Sequence, residues 1–173
     1  MAQANNSNHV DDQQKWDRFQ LVTVADGEII RLEEVPDPVF SEKMVGEGFA
    51  VIPTSEYVVA PVSGVLYQVA DTLHAYVIET DESVEVLVHI GINTISLQGK
   101  GFQSDLKKGM HVTKGDVLAT FSRAYFEEKD IPLVIPVVVI KGMDDETTVK
   151  MDYTKDGIAG ETVAMCVSRE EQN

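Results

Sequence analysis

The chain predicts an all-β fold: an antiparallel β-sandwich built from duplicated hairpin motifs, with a few short helical turns. Three observations predict it. Short apolar runs rich in Val, Ile and Thr recur across residues 21–168. Gly, Pro, Asp or Ser separates them, and twelve glycines and six prolines supply the turns. Helical periodicity is scarce, and no stretch approaches the roughly 20 apolar residues of a membrane span.

In chain order, residues 1–18 are rich in Asn, Gln and Asp and have too few apolar side chains to build a core, so a disordered leader is expected there, with His9 inert within it. A single domain is expected over 19–169, with a short tail at 170–173. Its strand-like runs are LVTVADG, GEIIRLEEV, EGFAVIP, YVVAPVSGVLYQVA, HAYVIE, VEVLVHIG, TISL, DVLATF, PLVIPVVVI, TVKM and ETVAMCV. Ser122 reads as the N-cap of a two-turn helix ending near Asp130. Single turns are expected at Val39–Gly46 and Ser104–Met110. Pro132 and Pro136 predict that the run containing them lies at a sheet edge or starts after the second proline. APVSGVLYQV (60–69) and KGMHVTKGDVLATF (108–121) echo each other, each setting a glycine turn beside alternating apolar residues.

Composition narrows the function. A net charge of −15 argues against nucleic acid and anionic membrane surfaces and favours a basic protein partner. The only cysteine, Cys166, allows no internal disulfide, which fits a reducing cytoplasm. It lies in an apolar run and reads as a small core side chain. The leader has no apolar signal-peptide core.

The most informative feature is a pair of histidines. HAYVIE and VEVLVHIG are joined by Thr80, Asp81, Glu82 and Ser83. A tight turn with Asp81 and Glu82 at its tip sets His74 directly opposite His89, side chains roughly 5 Å apart. A type I turn with a bulge at Ser83 would shift that pairing. In the tight register Tyr76, Ile78 and Leu87 share the face of the two histidines, an apolar apron suited to docking, while Ala75, Val77, Val86 and Val88 point away.

Two close imidazoles admit several chemistries. Neutral imidazole is a nucleophile near pH 7, and a phosphohistidine is a transferable intermediate. That chemistry needs one ring nitrogen free and the other donating to a fixed acceptor, with the second histidine stabilising the phosphoryl oxygens. A catalytic zinc site takes three protein ligands. His74 and His89 supply two, His111 reads as a surface residue, and Leu87 stands where a His-x-His element would need its first histidine. Zinc therefore needs a ligand from a partner. A lipoyl hairpin is excluded because Glu82 occupies the lysine position, and the biotinyl setting fails because Val149 precedes Lys150. No Gly-rich loop opens a helix, and no Gly-x-Ser-x-Gly elbow is present.

PDPVFSEKMVGEGFAVIPT (36–54), APVSGVL (60–66), TLHAY (72–76), VEVLVHIGINTISLQGKGF (84–102), GMHVTKGDVLATF and PVVVI follow one another in a specific order. In this the chain resembles the glucose-family enzyme IIA component (EIIA) of the bacterial sugar phosphotransferase system, over about Gly27 to Val167. The resemblance implies that His89 accepts a phosphoryl group on Nε2 from the phosphocarrier HPr and passes it to a cysteine of an EIIB domain. It implies that His74 contacts the phosphoryl group and that Thr72 orients His74. No cofactor is required, and zinc would enter only at a partner interface. The alternative role is regulatory binding, in which phosphorylation state controls transporters or metabolic enzymes. The chain departs from the family pattern at Ser63, Ser83 and Asn93, and EIIB and EIIC are expected on separate chains.

Overall fold

A computed structural model describes residues 18–169. The expected leader and tail therefore fall on residues outside those described, apart from Arg18, which already belongs to the first strand. In chain order the elements are β1 (Arg18–Val22), β2 (Gly27–Arg31), α1 (Pro38–Ser41), β3 (Glu47–Pro53), β4 (Tyr57–Val59), β5 (Gly64–Val69), β6 (Ala75–Glu79), β7 (Glu85–His89), β8 (Phe102–Gln103), β9 (His111–Val112), β10 (Val117–Phe121), α2 (Arg123–Glu128), β11 (Ile135–Lys141), β12 (Thr147–Met151) and β13 (Val163–Arg169).

The strands form a seven-stranded sheet, ordered β2-β3-β11-β7-β6-β5-β9, and two three-stranded sheets, β1-β13-β12 and β4-β10-β8. Every pairing is antiparallel, as the sequence predicts. Strand alternation splits the large sheet into two apolar faces. Phe49, Val51, Tyr76, Ile78, Val86, Val88, Ile135 and Val137 enter the main core with Leu21, Leu118, Phe121 and Met165 of the smaller sheets. The opposite face carries Ile30, Ala50, Leu87 and Val138, roofed by Leu32, Val35 and Phe40 of the β2–β3 connection. Each fully buried side chain of this size contributes roughly 1.5–3 kcal/mol, so the second cluster is enough to hold that connection down.

The helical turns came out unevenly. Ser122 does cap α2, its hydroxyl accepting from the Tyr125 amide at 3.1 Å. α1 begins one residue earlier than expected, because Asp37 accepts from the Val39 amide and Pro38 fills the first helical position. Ser104–Met110 forms no helix: the Ser104 hydroxyl donates to the Leu118 carbonyl at 2.6 Å, and the Gly109 amide donates to Leu66. The strand-like TISL is a 3₁₀ turn, entered through Asn93 in the left-handed conformation. β11 starts before Pro136 and lies in the middle of the sheet, correcting the edge expectation. The proline is tolerated because the β11–β7 ladder begins one residue later, at Val137 opposite Val88.

Candidate functional site

The β6–β7 hairpin places the site, and its register differs by one residue from the tight pairing. Ser83 adopts a left-handed φ of 64°. Its amide donates to the Thr80 carbonyl, and the Thr80 amide donates to Val84. The loop is thus three residues long, the bulged alternative. Ala75, not His74, lies opposite His89, followed by Tyr76 opposite Val88 and Val77 opposite Leu87. One residue of slip exchanges the faces of a whole strand. Tyr76 and Ile78 consequently enter the core and form no apron, while Ala75 and Val77 share the face of Leu87 and His89.

His74 still reaches His89, by another route. It lies just before β6, where Leu73 takes a φ of 59°. That conformation costs a branched residue on the order of 1–2 kcal/mol. Three hydrogen bonds hold the turn: the Ala70 amide to the Ala75 carbonyl at 2.9 Å, the Leu73 amide to Ala70 at 2.8 Å, and the Ile90 amide to the His74 carbonyl at 2.7 Å. The chain leaves the regular pleat here, and the His74 ring meets His89 edge-on, centroids 5.0 Å apart and planes at 77°.

Each ring has one nitrogen engaged. His89 Nδ1 lies 2.8 Å from the Gly91 carbonyl oxygen. A carbonyl only accepts, so Nδ1 carries the proton and Nε2 keeps its lone pair. His74 Nδ1 lies 2.6 Å from the Thr72 hydroxyl, which can donate or accept. His74 is buried and His89 half-buried. Burial, and secondly the facing His89, lower the His74 pKa from its ordinary value to about 4. Burial also lowers that of His89, against the upward pull of the Gly91 carbonyl and of Asp37. Both rings are therefore neutral near pH 7.

Three neighbours of the pair escape a reading of the sequence. Phe40 packs on His89 with ring centroids 5.2 Å apart. The Gly91 carbonyl is aimed by a φ of 80°. Asp37 supplies the nearby negative charge. The Asp37-Pro38 helix start was the available signal for the first and third. Val39, Met44 and Ile95, on segments flanking the pair, are exposed. His111 is exposed on β9, opposite Val65, and takes no part in the pair. Cys166 lies half-buried in β13.

For a metal, the pair offers two free Nε2 atoms. Among the described residues no group of three or more His, Cys, Asp or Glu comes together to hold an ion. Also among them, no helix is long and apolar enough to cross a membrane.

Residues 19–144 match the family model described as phosphoenolpyruvate-dependent sugar phosphotransferase system, EIIA 1. The chain is 43% identical over 141 residues to the glucose-specific EIIA component of the phosphotransferase system of Oceanobacillus iheyensis, covering 82% of this chain and 85% of that one. It is 40% identical to the protein of the same description from Haemophilus influenzae, over 83% of this chain and 85% of that one. Glucose permease IIA from Mycoplasma capricolum superposes with a TM-score of 0.79 at 34% identity, over 86% of this chain and 95% of that one. A glucose-specific EIICBA component of Streptococcus pneumoniae matches at 48% identity over 58% of this chain and 14% of that one.

Proposed function

The chain belongs to the EIIA 1 family of the phosphoenolpyruvate-dependent sugar phosphotransferase system, and from that footing we propose that it carries a phosphoryl group on His89 during sugar uptake. The observation that carries the assignment to His89 is its hydrogen bond to Gly91, which commits the ring proton to Nδ1 and leaves Nε2 nucleophilic.

In the first transfer, the Nε2 lone pair forms an N–P bond as the P–N bond of phosphorylated HPr breaks. Nδ1 keeps its proton throughout, so no base is required. Transfer passes through a loosely bonded PO₃ unit, and catalysis consists of positioning and charge stabilisation. His74 donates from Nε2–H to a phosphoryl oxygen in this reading, with the Thr72 hydroxyl donating to its Nδ1; the 2.6 Å contact between Thr72 and His74 supports that arrangement. In the second transfer, a cysteine thiolate of an EIIB domain attacks phosphorus and the N–P bond breaks. The EIICBA relative, whose name joins the A, B and C parts, supports EIIB as the recipient. The relatives' names propose glucose as the sugar, and the single cysteine, which fits a reducing compartment, supports a cytoplasmic site of action.

A net charge of −15 suits a basic donor such as HPr, chiefly by raising the rate of encounter. Zinc would have the two Nε2 atoms as ligands, with the His74 proton then on Nδ1 and donated to the Thr72 hydroxyl, and would need at least one more ligand from a partner, which it would hold to this face.

The test is incubation with enzyme I, HPr and phosphoenolpyruvate, followed by mass spectrometry. One acid-labile phosphate is expected on the wild type and none on His89→Ala. Normal labelling of that variant would refute the assignment.

A further inference from the structure

The transfer described above requires the His89 ring to present Nε2 in a fixed direction. A single hydrogen bond from Nδ1 to Gly91 restrains rotation about the Cβ–Cγ bond only loosely, because hydrogen-bond angles tolerate a broad range. Two neighbouring rings touch the imidazole. His74 meets it at 5.0 Å and 77°, and Phe40 at 5.2 Å and 58°. Of these only Phe40 has no polar atom of its own to offer the substrate.

Phe40 is also firmly held. The Asp37 carboxylate accepts from the Val39 amide at 3.0 Å, and the Phe40 amide donates to the Asp37 carbonyl at 3.0 Å. Past the helix, Lys43 bridges Glu33 at 3.0 Å and Glu47 at 3.1 Å, tying the segment back to β3. The Phe40 side chain packs in the second apolar cluster and is 4% exposed. Its neighbours Val39 and Met44 are 40% and 67% exposed. A side chain recruited mainly to touch a partner would resemble those two.

We propose that Phe40 is a positioning residue for phosphoryl transfer, its ring setting the plane of the His89 imidazole so that Nε2 is held ready for the incoming phosphorus. This rests on His89 being the phosphoryl acceptor. A reacting group misplaced by a fraction of an ångström loses much of the advantage of a prearranged encounter.

The experiment compares wild type, Phe40→Leu and Phe40→Tyr. Leucine keeps the apolar anchor but removes the flat ring; tyrosine restores the ring. In Phe40→Leu, kcat for transfer from phosphorylated HPr should fall about tenfold or more, with KM within about twofold of wild type. The ring resonances of His89 in the uncomplexed protein should shift and broaden, because the imidazole then samples more than one orientation. Phe40→Tyr should recover both properties. A raised KM with unchanged kcat would make Phe40 a docking residue and overturn the proposal. So would unaltered His89 resonances, or a Phe40→Leu protein that circular dichroism finds unfolded at the assay temperature. If wild type itself takes no phosphate, the reading of His89 fails; if wild type and Phe40→Leu transfer alike, only the role of Phe40 does.

Discussion

The Gly91 carbonyl oxygen lies 2.8 Å from His89 Nδ1, two residues away along the chain, and accepts the neutral ring's only N–H. The contact depends on the backbone at Gly91, whose φ of 80° turns the peptide back toward the end of β7. An added Cβ would stand 2.5 Å from Thr94 Cγ2 and 3.1 Å from the Phe126 ring. Thr94 cannot easily give way, because it is fully buried and its hydroxyl donates to the Ile90 carbonyl at 2.8 Å.

Gly91→Ala should therefore affect stability and phosphorylation together. Backbone strain and overpacking predict a loss of roughly 1–3 kcal/mol, read as a lower urea midpoint. Phosphoryl acceptance should slow in the fraction that remains folded. Wild-type stability and wild-type labelling would show that the carbonyl is not needed to aim His89.

Thr72 and His74 should be separable by degree. His74→Ala removes a donor to the phosphoryl oxygens and should slow transfer by roughly 100-fold. Thr72→Val keeps the shape but removes the hydroxyl that sets the His74 proton. About 1 kcal/mol of hydrogen bonding corresponds to a loss of about fivefold. Thr72→Ser should recover the rate. Equal rates in Thr72→Val and wild type, measured by quenched-flow transfer to EIIB, would remove Thr72 from the mechanism.

The depressed histidine pKa values give stability a particular dependence on pH. Above the unfolded value of about 6.5 both states hold the rings neutral, so neither histidine contributes. As pH falls from there toward the His74 value of about 4, the unfolded chain binds protons that the folded chain refuses, and stability drops. For His74 the loss is on the order of 3 kcal/mol. His89 acts in the same direction. His74→Gln should flatten the curve of unfolding free energy between pH 6.5 and 4; an unchanged slope would contradict the assignment. Labelling of His89 should hold its rate somewhat below pH 6.5, because the neutral nucleophile survives there.

Tyr76 offers a test within the core. It is fully buried, and its hydroxyl has no hydrogen-bond partner. Ser104 lies close enough to influence it and keeps one lone pair after donating to Leu118 at 2.6 Å and accepting from the Leu106 amide at 3.2 Å, but the two hydroxyls do not meet with hydrogen-bond geometry. An unsatisfied buried polar group costs roughly 1–3 kcal/mol. Tyr76→Phe should be neutral or stabilising by about 1 kcal/mol. A clear fall in melting temperature would mean that the hydroxyl is satisfied after all.

Much of this was legible from the chain itself. Alternation of Val and Ile with polar residues located the strands, because a two-residue period is written directly in side-chain polarity. Ser122 announced α2 by the same logic of local hydrogen bonding. Three of the misreadings share a cause. Ser83, Leu73 and Asn93 all have left-handed backbones, and nothing in a serine or leucine side chain advertises that state. Ser83 shifted the hairpin by one residue and exchanged its faces, moving Tyr76 from the expected site to the core. Pro136 seemed to bar a central strand, yet the ladder on its β7 side starts just beyond it.

The sequence by itself determined that two histidines would terminate neighbouring strands of an antiparallel sheet, since composition and alternation act over a few residues. Only the tertiary structure decided how they meet. The contact arises from a turn at Thr72–Leu73 that leaves the pleat, not from directly opposed pleated positions. Phe40 arrives from a different segment, brought there by the second apolar cluster. Such contacts join residues far apart in the chain, and their geometry follows from the packing of whole elements, which local patterns do not encode.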